Sequence, residues 1–345
     1  MIKQFIVSPF TGRGASLMHE PATLVFRKET FPYIHQYYEC DVTHERFTTE
    51  EIDEANLAQV YNQYRAKYGI PFPEEIKRIR QHYGLSATKM SEILGFGENQ
   101  YRLYENGDMP SEANGKVLMS IMNPEIFRVF VVNARGQFSE EEFQKIMSKV
   151  SVRVHSDFDI FATHYLFSTT RRSISNGYAN QSISKLKNVL LYFIEKSHGI
   201  FFTKMNKLLF YTDFLTYKTL GRGMTGLCYR AIDFGPVPEH WDRIYSFFDE
   251  IQQEIVHFSS GKEGTRLTST LSPDMSEFSE QERNLLDTVY HHFRAMSSTQ
   301  ISETSHKEEA WKKNVGTAGL IDYHMDSDSK QYEGCTVIVS TAFIL

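Results

Sequence analysis

Between Pro73 and Asn123 the chain cannot run as one long helix, because caps and breakers interrupt it every few turns. Pro73 and the acids behind it open a first helix, PEEIKRIRQHY, which closes on His82 and Gly84, the charge order that a helix dipole favours. Ser86 can cap a second, ATKMSEIL, and Gly95 can end it. A third, from about Glu98 to Asn106, follows at once, and Pro110 starts a fourth. Helices this short are marginal alone in water, so their apolar stripes have to meet. The stripes are Ile76, Ile79 and Tyr83; Met90, Ile93 and Leu94; Tyr101 and Tyr104; and Val117, Leu118 and Ile121.

Two such helices joined by a tight glycine turn, with the second polar on its outer side, have the arrangement of a helix-turn-helix. Tyr101 and Tyr104 supply the docking side. Glu98, Asn99, Gln100 and Arg102 are left to face outward. Asn and Gln pair with adenine and Arg with guanine, and Leu103 can touch a thymine methyl. Ser86 and Thr88 on the preceding helix complete the candidate DNA-binding set. A solvated amphipathic helix in a small bundle would show the same pattern. The net charge of −6 excludes a strongly basic, non-specific nucleic-acid binder. Pro73 to Asn123 carries six basic residues against seven acidic ones, so counterion release contributes little. Operator binding would need two copies on one duplex, and a homodimer is expected.

On the N-terminal side, ATLVFRKE (Ala22–Glu29) and YIHQYYE (Tyr33–Glu39) read as strands, with Thr30, Phe31 and Pro32 between them. From Thr49 to Tyr68 the period is helical, and Gly69 closes it. Residues 134–182 read as a connection with a capping box at Ser139 and Glu142, and SDFDIFATHYLF stays open between helix and strand. From Ile183 a mainly helical unit begins. Helical runs over Arg243–Phe258 and Ser279–Met296 are expected to flank a polar loop at Ser259–Ser276, and the tail CTVIVSTAFIL reads as a buried or edge strand. Cys40, Cys228 and Cys335 are too few and too scattered for a disulfide framework. With no signal-peptide pattern and no membrane-length apolar run, a cytoplasmic protein with no membrane contact is expected.

The stretch FPEEIKRIRQHYGLSATKMSEILGFGENQYRLYENGDMPSEANGKVLMSIMNPE resembles the helix-turn-helix half of MqsA/YgiT-type antitoxins. That resemblance implies a dimer that binds palindromic operators and represses its own operon. Asn99 falls where the family has a DNA-contacting Asn; the family's Arg four residues later is Leu103, with Arg102 one position away. Such antitoxins often begin with a zinc ribbon held by two CxxC pairs. The matching places here are Ser8-Pro-Phe-Thr11 and Cys40-Asp-Val-Thr43, so three of four thiols are replaced. With His35 and His44, Cys40 supplies at most a partial ligand set. No metal and no cofactor is expected, and a hairpin held by Phe26, Phe31, Tyr33, Tyr37 and Phe47 is.

The half from Ile183 resembles the Panacea, or SocA-like, antitoxin domain through TKMNKLLFYTDF, GRGMTGLCYRAIDFGPVP and SHKEEAW. Family members neutralise small protein toxins encoded beside them, and one type delivers its toxin to a protease. Asp213, Asp233, His240, His291, His292 and His306 form no recognisable catalytic pattern, and GRGMTG lacks the spacing and Lys of a phosphate loop. The expected fold is mainly α with a small β N-terminal ribbon: a degenerate ribbon and helix over 1–68, a helix-turn-helix domain over 69–133, the connection, and a helical α+β Panacea domain over 183–345. The expected function is that of a type II antitoxin rather than an enzyme. Its partners would be operator DNA and a nearby-encoded toxin, the latter held by aromatic anchors among Tyr217, Tyr229, Phe234 and Trp311. The alternatives are a phage or mobile-element regulator with a non-toxin partner, and a proteolytic adaptor.

Overall fold

Strand β2 (Gly14–Phe26) runs antiparallel to β3 (Glu29–Cys40) over its whole length, with β1 (Phe5–Val7) and β4 (Arg46–Phe47) at the outer edges. The computed structural model describes residues 2–150, 162–163, 165–169, 171–259 and 261–323. Within them the chain is mixed, with helices and three small antiparallel sheets. The turn of the long hairpin is Arg27–Lys28, at φ 49° and 70°. It is not Thr30–Pro32, which the sequence places between the strands. Phe31 and Tyr33, two residues apart, share the buried face and fix the register, so Pro32 stays in β3 opposite Thr23.

Because β4 is short, the β4-side edge of β3 is open around Ile34 and Gln36. Helix α1 (Glu50–Tyr68) closes it with two amide side chains one turn apart. Asn56 accepts from Gln36 N and donates to Gln36 O, both at 2.9 Å. Gln59 does the same at Ile34, at 3.1 and 3.0 Å. Each amide thus replaces a missing strand neighbour.

The chain divides into two compact units, residues 1–60 with 161–345, and residues 61–160. The second is a bundle of α2 (Pro73–Tyr83), α3 (Ala87–Leu94), α4 (Gln100–Glu105), α5 (Glu112–Ser120), α6 (Pro124–Asn133) and α7 (Glu140–Val150). Every apolar stripe expected from the sequence is in its core, Val117 at the margin, together with Phe127, Val131, Phe143, Ile146 and Val150. Gly84 and Gly95 end α2 and α3 in the left-handed region, and Ser86 and Ser111 cap α3 and α5. Two core tyrosines also donate to helix carbonyls: Tyr83 to Ile121 O, at the C-terminal end of α5, at 2.6 Å, and Tyr101 to Ile76 O, near the start of α2, at 2.8 Å.

The C-terminal part of the first unit is built on α8 (Ile183–Lys196) and α9 (Phe202–Leu220). Strands β6 (Tyr229–Ile232) and β7 (Gly235–Pro238) form a hairpin that β10 (Leu320–Ile321) extends. The expected helix over Arg243–Phe258 is only α10 (Trp241–Phe247). Gln252–His257 is strand β8, paired with β9 (Glu263–Thr268), which lies within the expected polar loop; β5 (Ile200–Phe201) completes that sheet. Helices α11 (Glu280–Phe293), α12 (Ser298–Ser305) and α13 (Glu309–Lys312) follow. The tail strand, Cys335 and most of SDFDIFATHYLF lie outside the described residues.

Candidate functional site

In the 61–160 unit, α3 and α4 carry the residues singled out for DNA. Ser86 accepts from Lys89 N at 3.2 Å as the α3 cap, and Thr88 is exposed. Glu98, Asn99, Arg102 and Leu103 are exposed and Gln100 is half-buried, while Tyr101 and Tyr104 are core. Tyr101 N donates to Ser91 Oγ at 3.1 Å, which ties the start of α4 to α3. Asn99 does not lie within α4: it precedes it in the left-handed region, at φ 62°. Arg80 is committed to Glu105 through two contacts of 2.6 and 3.1 Å, so on this face Arg102 is the guanidinium turned to solvent.

At the ribbon, the four degenerate positions converge on the buried Cys40 thiol. Thr11 Oγ1 lies 3.3 Å from Cys40 Sγ. Hydrogen bonds to Ser8, Thr11 and Thr43 pull that thiol down to about 6. The two histidines are engaged elsewhere: His35 with Tyr33 and Asn56, His44 with Glu39. Among the described residues no group of three His, Cys, Asp or Glu side chains is placed to hold a metal.

In the first unit, the three C-terminal sequence motifs come together around the β6–β7 hairpin. From α9, Asp213 is wholly buried and accepts from Met224 N and Thr225 N, both at 2.7 Å, from Thr225 Oγ1, and from Tyr229 OH at 2.6 Å. That carboxylate holds the GRGMTG loop and the first residue of β6. Burial raises its pKa against these donors. Some one and a half turns earlier on α9, Lys207 is buried too and donates to Pro236 O at 2.9 Å. With no carboxylate partner there, burial pushes the amine down to about 7.

The third motif closes the other side. Trp311 Nε1 donates to Ile232 O at 2.7 Å, and His306 stacks on the indole with centroids 4.3 Å apart. Buried Glu308 accepts from Tyr211 OH at 3.1 Å. Gly235 sits at φ 97°, and a Cβ there would be 2.5 Å from Ser305 Oγ and 2.7 Å from Lys207 Cε, so conformation and space both require glycine.

What this framework presents is the hairpin tip, Asp233–Phe234. Phe234 is 75% exposed, whereas Tyr217 and Tyr229 are core and Trp311 is half-buried. Of the four aromatics read as anchors, only Phe234 stands clear of its own fold. The buttressing pair Lys207 and Asp213 is not singled out for this role by the sequence; their signal is a charge of each sign flanking the apolar run Leu208–Tyr211, on the buried side of the helix.

Residues 205–312 match the family model described as antitoxin SocA-like, Panacea domain. The Panacea match covers the buttress, the hairpin and Trp311, and it supports a toxin–antitoxin-related role with a protein toxin as partner. No curated protein and no solved structure matches the chain. Among the described residues no helix is long and apolar enough to cross a membrane.

Proposed function

We propose that the chain is the antitoxin of a type II toxin–antitoxin pair, acting by binding rather than catalysis. Its C-terminal region holds a small, nearby-encoded protein toxin, and a dimer represses the operon through a helix-turn-helix formed by α3 and α4. The observation that carries the toxin half is the coincidence of the Panacea match with Phe234. A large apolar side chain held in water by a rigid, buried network is arranged to be covered by a partner. The DNA half is supported by the outward set Thr88, Glu98, Asn99, Gln100, Arg102 and Leu103 beside a fully packed inner face.

Co-expression of the neighbouring small gene with full-length variants separates the two activities. Phe234→Asp is expected to abolish growth rescue while leaving promoter repression intact. Arg102→Ala is expected to relieve repression while leaving rescue intact. Rescue that survives Phe234→Asp and fails with Arg102→Ala would mean that protection works through transcription.

A further inference from the structure

The tip of the β6–β7 hairpin is Asp233 and Phe234, between the paired Ile232 and Gly235. The left-handed position of this turn falls on Gly235, so the backbone dictates neither tip residue. Phe234 is the exposed anchor, and Asp233 beside it is exposed as well. Aspartate usually favours a turn by accepting from the backbone two residues on. Among the described residues Asp233 accepts no hydrogen bond and joins no ion pair. The cations closest in the framework are committed elsewhere. Arg230 of β6 pairs with Glu239 and donates to Ala318 O at 2.8 Å. Lys207 is buried on Pro236 O.

Covering Phe234 takes Asp233 out of water too. Neighbouring Cα atoms are about 3.8 Å apart, so a partner that encloses the ring reaches the carboxylate. An unpaired charge inside a contact opposes binding, whereas a matched, hydrogen-bonded pair can favour it. Because Asp233 has no counter-charge of its own among the described residues, the partner has to bring one. We infer that the tip docks into an apolar pocket with an arginine on its rim: the pocket takes Phe234 and the partner's guanidinium pairs with Asp233. Arginine fits better than lysine here. Its planar fork can give a carboxylate two N–H groups, and its flat face can lie against the phenyl ring. The inference rests on the toxin reading of this same site and adds the chemistry of the toxin's surface.

The test is binding of the purified full chain to the product of the neighbouring small gene, followed by biolayer interferometry. Asp233→Asn keeps the shape and is expected to weaken binding by roughly tenfold or more, mainly through faster dissociation. Asp233→Lys is expected to weaken it further, since like charges then face each other. Neither should move the melting temperature, because this carboxylate supports nothing in its own fold. Arginines of the gene product are then replaced by alanine one at a time. One such variant should bind the wild-type chain more weakly by a similar factor, yet bind the Asp233→Asn chain with almost no further loss. If that variant misfolds, the Asn and Lys series on the chain itself decides. Three results overturn the inference: Asp233→Asn binding like wild type, Asp233→Lys binding no worse than Asp233→Asn, or independent losses at every arginine. Phe234→Ala losing affinity while Asp233→Asn does not would overturn it and leave the toxin reading standing. A wild-type chain that does not bind the gene product overturns the toxin reading, and this inference with it.

Discussion

Asn99 shows how one backbone angle changes the way a reading face has to be tested. At φ 62° it occupies a conformation that Asn tolerates and alanine resists by about 1–2 kcal/mol. Asn99→Ala would therefore disturb the entry to α4 as well as remove the amide. Asn99→Gly keeps the angle and removes only the reader. In fluorescence anisotropy at fixed salt, Asn99→Gly and Arg102→Ala should each cost about 1–3 kcal/mol of specific promoter binding, with little loss on unrelated DNA. Specific binding retained by the double variant would remove both residues from the reading set. Lys207 offers a second test at this scale. Its amine is about 7 in the fold against 10.5 unperturbed, so between those values the unfolded chain binds more protons than the folded one. Stability from this group accordingly rises as pH climbs from about 7 to 10.5, and below pH 7 the fold carries the full cost of a buried ammonium. Lys207→Met removes that dependence. Urea denaturation at about pH 6.5 and about pH 9.5 should show the wild type gaining on the variant at the higher pH, and a constant gap would mean that Lys207 is not desolvated.

The β6–β7 hairpin is an element whose rigidity comes from outside it. Asp213 fixes its start, Lys207 and Trp311 hold one carbonyl on each strand, and Gly235 fits between Ser305 and Lys207. Phe234 therefore loses little entropy on docking, and Phe234→Ala should lose about 2 kcal/mol or more of toxin affinity by calorimetry. Its melting temperature should not move, because the ring supports nothing beneath it. A variant that binds normally would place the toxin surface elsewhere. Elements of this kind differ in how far the sequence reveals them. The short helices of the 61–160 unit are legible because their caps, apolar stripes and left-handed glycines all agree. The β8–β9 pair is not: Gln252–Ile255 are exposed, so no alternation marks β8, and only Leu267 of β9 is buried. The Arg27–Lys28 turn is hidden for a related reason, since neither residue is the Gly or Asn that usually signals positive φ. The buttress is invisible in another way, because Lys207, Asp213, Ser305 and Trp311 are linked only by the tertiary fold.

At the scale of the molecule, the N-terminal sheet belongs with the C-terminal helices, although residues 61–160 separate them in sequence. The end of α9 shows why. Gln36 donates from β3 to Lys218 O at 3.0 Å. Gly221, at φ 70°, lies so close to α1 that an added Cβ would be 2.5 Å from Ala58 Cβ. Burial and the neighbouring Lys218 push His19 of β2 down to about 3, so its neutral ring is part of the same packing. A chain beginning at Asn180 would leave the Lys218 carbonyl without this donor and expose the surface that Ala58 and His19 cover. Orphaned polar groups and lost packing each cost about 1–3 kcal/mol, a large share of the roughly 5–15 kcal/mol that holds a typical domain. Such a truncation is expected to melt well below the full chain or to precipitate, as followed by far-ultraviolet circular dichroism. Melting at the full-length temperature would show that the sheet is a passenger. If the truncation is destabilised as expected, loss of neutralisation on shortening reports unfolding, and the toxin surface has to be mapped with point variants in the intact chain.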